Sequence, residues 1–150
     1  FDLVELVKNC CNEIRYLIHE KNQRLTTNFE SEKEIIIADP IEIKRVIMNL
    51  LSNAITYTQN DGKIDLAIKT KNQHITLVVK DNGRGIAPDK IATIFDKYVT
   101  YSKKFRQVGT GLGLYVSKMI AEAHGGEITI KSKEEEGSEF VLKIPKVVDQ

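Results

Sequence analysis

Between Ile64 and Val79 the apolar residues fall at every second position: Ile64, Leu66 and Ile68, then Ile75, Leu77 and Val79. Side chains of a strand alternate between its faces, so each run predicts a strand with one apolar face. The polar residues 71–73 between them predict a tight antiparallel hairpin, and its apolar face must be covered by something. Around it the period changes to that of a helix. Leu3, Leu6, Val7, Cys10, Ile14, Leu17 and Ile18 form an i, i+3, i+4 stripe through residues 2–22, with Asp2 as N-cap. A second helix has Ile43, Val46, Ile47, Leu50 and Ala54 on its core face. It opens with Asp39 at the N-cap, Pro40 at the first helical position and Glu42 at the reciprocal capping position.

Further along, Ile91, Ile94, Phe95 and Tyr98 predict a helix over residues 88–99. Leu112, Val116, Met119, Ile120 and Ala123 predict an inward-facing stripe on a helix over 111–124, stopped by Gly125-Gly126. Strands are expected at 24–30, 34–38, 127–131 and 138–145, with turns at Asn60-Asp61-Gly62 and at the acidic run before Gly137. Helices interleaved with hairpin-linked strands argue for an α/β two-layer sandwich, a mixed, mainly antiparallel sheet with helices on one face.

A chain of 150 residues fits one domain with a core of its own. Its net charge of +1 gives no global attraction to nucleic acid or anionic membrane, so no nucleic-acid partner is expected. No apolar run approaches the ~20 residues of a membrane span, and no signal peptide is visible. A cytoplasmic location is expected. Starting at Phe1, the chain reads as a piece of a longer protein, whose membrane attachment stays open. Cys10 and Cys11 are neighbours on one helix, where a mutual disulfide is geometrically implausible, and they read as small apolar packing residues in a reducing compartment.

Three stretches can carry chemistry. Asn49 and Asn53 lie one helical turn apart at the margin of the second helix's apolar stripe. Amide oxygens are suitable ligands for Mg²⁺, which takes few protein oxygens alongside phosphates and waters. The same pair also suits plain surface or capping positions. Asp81 ends an apolar strand and opens DNGRGI at 81–86, either a simple turn or a carboxylate aimed at an amino group, with Gly83 and Gly85 removing bulk so that backbone can approach a flat base. GTGLGL at 109–114 opens a helix whose N-terminus favours an anion. Lys97, Lys103, Lys104 and Arg106 precede it and offset phosphate charge or form a solvated run. His19, His74 and His124 read as structural, the last at a helix end where its positive form would suit the dipole.

In this order and at these separations, the stretches resemble the boxes of the catalytic and ATP-binding domain of two-component sensor histidine kinases, within the GHKL superfamily. Residues 49–58 resemble the N box, 81–86 the first glycine box, IFDKYV at 94–99 the F box and 109–114 the second glycine box. The resemblance covers almost the whole chain and implies a Bergerat-type sandwich with ATP between the second helix and a lid over roughly 99–108. It implies that Asn49 and Asn53 contact Mg²⁺ and the phosphates, that Tyr57 lies against base or ribose, and that Asp81 accepts the adenine amino hydrogen. Gly83, Gly85 and Ile86 would line the base pocket, Phe95 would pack beneath the lid, and Gly109, Thr110, Gly111, Leu112 and Gly113 would frame the lid and phosphate end. Lys97 and Arg106 would join Asn49 and Asn53 in the catalytic set.

The family often has a lysine three residues after the second asparagine, where this chain has Thr56. Hydrolytic branches of the superfamily carry a glutamate at the position of Asn49, and an amide cannot act as general base. The resemblance therefore implies transfer of the γ-phosphate to a histidine on a dimerisation domain N-terminal to Phe1. The further partner it implies is a response regulator receiver domain, with this domain monomeric and its parent a homodimer. A nucleotide-binding regulatory module and a serine kinase of the anti-sigma-factor type are the alternatives.

Overall fold

In the computed structural model, which describes residues 1–96 and 113–147, the elements in chain order are α1 (Leu3–Glu13), α2 (Arg15–Glu20), β1 (Arg24–Phe29), α3 (Pro40–Tyr57), β2 (Lys63–Lys71), β3 (His74–Asp81), α4 (Pro88–Ile91), α5 (Gly113–Ala123), β4 (Glu127–Lys133) and β5 (Gly137–Pro145). The expected hairpin is β2–β3, paired antiparallel from Ile64↔Asp81 to Lys71↔His74. Its turn has positive φ at both Asn72 and Gln73, the pattern of a type I′ turn whose twist matches that of the strands. β5 pairs antiparallel with β3, β4 antiparallel with β5, and β1 parallel with β2, giving the order β1-β2-β3-β5-β4. The sheet is mixed and mainly antiparallel, as its sequence pattern predicts.

One face of the sheet carries Ile64, Leu66, Ile68, Ile75, Leu77, Val79, Phe140, Leu142 and Ile144, all buried. α3 covers it with Ile43, Val46, Ile47, Leu50, Leu51, Ala54 and Ile55, and α1 adds Leu3, Val4, Val7, Cys10 and Cys11. The cysteines are free, and burial pushes the Cys10 thiol up to about 11, which keeps it unreactive. Asp2 caps α1 through the Val4 N–H, and Asp39 caps α3 through the N–H groups of Ile41 and Glu42. The reciprocal bond expected from Glu42 is replaced: the Asp39 N–H donates to His124 Nε2 at 3.2 Å. α5 ends at Gly125, φ 75°, with Gly126 N–H bonded to the Ala121 carbonyl and Gly125 N–H to that of Glu122, a Schellman stop.

Four expectations change. The helix expected over 2–22 breaks at Ile14 (φ −100°, ψ 3°) into α1 and α2, although no glycine or proline marks the place. Residues 34–38 form no strand. They make only the bridges Asp2↔Ile35 and Ile37↔Val147, because each neighbour offers a single residue to pair with; Glu34 and Ile36 are buried, whereas Ile35 and Ile37 are exposed. Of the helix expected over 88–99, Pro88–Ile91 is helical and residues 92–95 are turns that set Ile94 inside and Phe95 edge-on to Phe140 at 6.4 Å. On α5, Ser117, Ile120, Ala121 and His124 face inward, whereas Met119 is 53% exposed and Ala123 is exposed. Small side chains at Gly113, Ser117 and Ala121 let α5 lie close against α3, which rotates Met119 outward.

The C-terminus of α3 has an unforeseen partner. Lys21, from the link between α2 and β1, donates to the carbonyls of Ile55 (2.7 Å), Thr56 (3.3 Å) and Thr58 (2.6 Å). Gln23 adds bonds to Ile55 and Thr58, and the Tyr57 carbonyl accepts from the Arg84 N–H. A cation thus meets the negative end of the helix dipole and satisfies carbonyls that the helix leaves open. Lys21→Met is expected to lower unfolding free energy by about 1–3 kcal/mol in urea titrations; an unchanged midpoint would show that Gln23 and water suffice.

Candidate functional site

Asn49, Asn53 and Tyr57 recur every fourth residue and so lie along one side of α3, each half-buried at the edge of its core stripe. Both amide hydrogens of Asn49 are engaged, with the Gly113 carbonyl and the Ser117 Oγ, each at 3.1 Å. Its Oδ1 is therefore the atom left to meet a ligand. Gly113 opens α5 directly against Asn49, where an added Cβ would lie 3.6 Å from the amide carbon. About two turns along, Tyr57 carries the Arg84 guanidinium over its ring, 4.6 Å from the centroid.

Asp81 sits at the end of β3, 7% exposed. Its Oδ1 accepts from the backbone N–H of Gly83 (2.9 Å) and of Ser138 (3.3 Å), which leaves Oδ2 with no bond among the described residues. Burial pushes the carboxyl above the usual carboxylate range, and the two N–H bonds oppose that rise. Oδ2 is thereby an acceptor that an amino group can meet.

The loop after Asp81 is clamped on two sides. A Cβ at Gly83 would stand 2.3 Å from the Tyr57 carbonyl, and one at Gly85, where φ is +67°, 2.0 Å from the Lys133 carbonyl. Protein backbone, before any ligand, is what requires glycine at both positions. Arg84 O accepts from the Glu135 N–H at 2.6 Å, and Ile86 N–H donates to Ser132 Oγ at 2.8 Å. The loop thus bridges the end of α3 and the β4–β5 turn.

The fold brings Asn49, Asn53, Tyr57, Asp81, Gly83, Gly85, Ile86 and Gly113 to the end of the sheet where α3 terminates and α5 begins. Lys97, Arg106, Gly109, Thr110, Gly111 and Leu112, with the lid expected over 99–108, lie outside the described residues. Among the described residues, no cluster of three His, Cys, Asp or Glu side chains could hold a metal. A divalent ion beside Asn49 would draw most of its ligands from phosphates and water.

Sequence reading missed Lys21, Arg84, Ser132 and Ser138. A signal existed for Ser138. It shares the inward register of Phe140, Leu142 and Ile144, and a polar residue in a buried register is the informative exception. His124 is structural as expected: its Nδ1 lies 2.8 Å from the Ile120 carbonyl, and its Nε2 accepts from the Asp39 N–H at 3.2 Å.

Residues 38–148 match the family described as histidine kinase-, DNA gyrase B- and HSP90-like ATPase. An uncharacterized sensor-like histidine kinase of Rhizobium meliloti is 33% identical over 147 residues, covering 97% of this chain and 28% of the relative. The chain thus spans little more than a quarter of that relative's length. The nucleotide-free catalytic domain of histidine kinase ThkA superposes with a TM-score of 0.88 at 30% identity, covering 98% of this chain and 94% of that one. ThkA in complex with response regulator TrrA gives 0.81 at 28%, covering 97% and 41%. Full-length ShkA in complex with AMPPNP gives 0.86 at 25%, covering 99% and 31%.

Asp81→Asn keeps the Oδ1 acceptor and removes the buried charge. Because the folded-state pKa lies above its ordinary 3.8, the native state holds the proton more tightly, and ionisation costs stability as pH rises from about 4 through the raised value. Asp81→Asn is therefore expected to be more stable than the parent at pH 7, with the difference shrinking towards pH 4. Urea melts at both pH values test this, and a variant that is less stable at pH 7 would contradict it.

Proposed function

Since the chain belongs to the histidine kinase-, DNA gyrase B- and HSP90-like ATPase family and is an ATP-binding catalytic domain of the sensor histidine kinase type, we propose that it transfers the γ-phosphate of Mg-ATP to a histidine on a separate dimerisation domain. The observation that carries this is Asp81: a buried carboxylate with one oxygen unbonded among the described residues, set in a glycine loop beside α3. Asp81 accepts the adenine amino hydrogen, and Tyr57 flanks the base or ribose. Gly83, Gly85 and Ile86 form the base-side loop. Asn49 and Asn53 present amide oxygens to the metal and phosphates, with Gly113 closing the phosphate side. Lys97, Arg106, Gly109, Thr110, Gly111 and Leu112 complete the phosphate end. Bound Mg-ATP supplies the phosphoryl group and the charge neutralisation that its transfer needs.

The residues present fit that role. With its N–H groups tied to α5, Asn49 is held in one amide orientation before any ligand arrives. An amide at this position takes no proton from water, which suits transfer to an imidazole that is already a nucleophile. The complete protein, on this reading, is a cytoplasmic homodimer whose catalytic domain is monomeric in isolation and whose phosphohistidine is read by a response regulator receiver domain. The complex of ThkA with TrrA supports that choice of partner class.

Calorimetric titration with ATP, with and without Mg²⁺ and with GTP as control, is expected to give Mg²⁺-dependent, ATP-selective binding. Asn53→Ala should weaken Mg-ATP binding by about tenfold or more, the cost of losing one bond to a charged group, with thermal unfolding unchanged. Equal affinities for the two proteins would remove the metal assignment. Absence of labelled phosphate on a supplied histidine-bearing dimerisation domain, despite ATP binding, would favour the regulatory-module reading.

A further inference from the structure

The cross-strand register places Asp81, Ser138 and Ser132 side by side. Asp81 on β3 pairs with Ser138 on β5, and Ser138 pairs with Ser132 on β4. This row continues from Ile64, so the last rung of an otherwise apolar sheet face is polar.

Ser132 Oγ has three neighbours. It accepts from the Ile86 N–H at 2.8 Å, lies 3.0 Å from the Gly137 carbonyl and 2.8 Å from Ser138 Oγ. A hydroxyl has one hydrogen and two lone pairs. The Ile86 N–H uses one lone pair, and the Gly137 carbonyl can only accept, so it takes the Ser132 hydrogen. The remaining lone pair of Ser132 then receives the Ser138 hydrogen. All three contacts are satisfied only in this polarity, and it leaves the buried Ser138 hydroxyl with nothing but lone pairs to offer. Beside it stands Asp81, also an acceptor. Among the described residues, the Asp81 and Ser138 side chains at this end of the sheet therefore present acceptors alone.

We propose that Ser132 is a specificity-determining positioning residue: by taking the Ser138 hydroxyl hydrogen and holding the Ile86 loop, it keeps the wall beside Asp81 acceptor-only, matched to a purine bearing an exocyclic amino group at C6. The inference rests on the nucleotide reading above. A 6-oxo purine would meet acceptor against acceptor. Without the Ser132 oxygen, the Ser138 hydrogen is released and can turn towards a carbonyl.

The test compares ATP with inosine triphosphate, which carries a carbonyl in place of the 6-amino group, by calorimetry on the chain and on Ser132→Ala, Ser132→Thr and Ser132→Val. Threonine and valine have the same shape and differ only in the hydroxyl, so the comparison holds even if Ser132→Ala fails to fold. The expected result is an ATP-to-ITP affinity ratio about fivefold lower in Ser132→Val and Ser132→Ala, the size of one net hydrogen bond, with the parent ratio retained in Ser132→Thr. A general loss of stability would lower both affinities and leave the ratio alone. Equal ratios in Ser132→Thr and Ser132→Val, with ATP binding by the parent chain intact, would overturn this inference and spare the nucleotide reading. No ATP binding by the parent chain would remove both.

Discussion

Helix α3 meets opposite demands at its two sides, and the site depends on both being satisfied. One side buries seven apolar residues on the sheet and neighbouring helices, which at about 25 cal/mol per Å² of apolar surface is the kind of burial that anchors an element. For the proposed nucleotide site, the other side must stay open and polar, with Asn49, Asn53 and Tyr57 reachable by a ligand. A helix held on one side only can roll or slide. Here Asp39 caps one end, Lys21 and Gln23 engage the carbonyls at the other, and α5 grips the middle through Asn49.

Asn49 joins these roles in one side chain. Its nitrogen is structural, bonded to the Gly113 carbonyl and Ser117 hydroxyl, and its oxygen carries no bond among the described residues. Replacing it with aspartate would set an acceptor against the Gly113 carbonyl. The small residues of α5 belong to the same arrangement, because Ser117 is fully buried against the amide and a larger side chain there would push α5 off it.

The far wall of the site is built on a different principle. β3, β5 and β4 deliver Asp81, Ser138 and Ser132 in register, and the loop 82–86 is pressed between the Tyr57 carbonyl and the β4–β5 turn. Backbone contact on both sides explains why glycine is needed at Gly83 and Gly85, and it gives the loop little freedom before a ligand arrives.

Much of this was legible in the chain itself. The period-2 runs defined the hairpin, because alternation is a direct consequence of strand geometry. Asp39-Pro40 and Gly125-Gly126 marked helix ends, because capping is local chemistry. Asn49, Asn53 and Asp81 stood out as polar groups at the edges of apolar patterns. Tertiary structure decided what depends on neighbours distant in sequence. Residues 34–38 read as a strand by propensity, but pairing needs a partner of equal length and none lies alongside. Met119 read as core by period, but the facing direction of α5 was set by where small residues let it approach α3. Lys21 looked like any solvated lysine until the fold carried it to the end of α3, and Ser132 carried no signal at all. Hydrophobic period and capping are properties of neighbouring residues, so the sequence alone determined most of the elements and singled out the box residues. Register and helix-end partners are properties of distance in space, so only the tertiary structure determined which hydroxyls line up with Asp81 and which cation meets the end of α3.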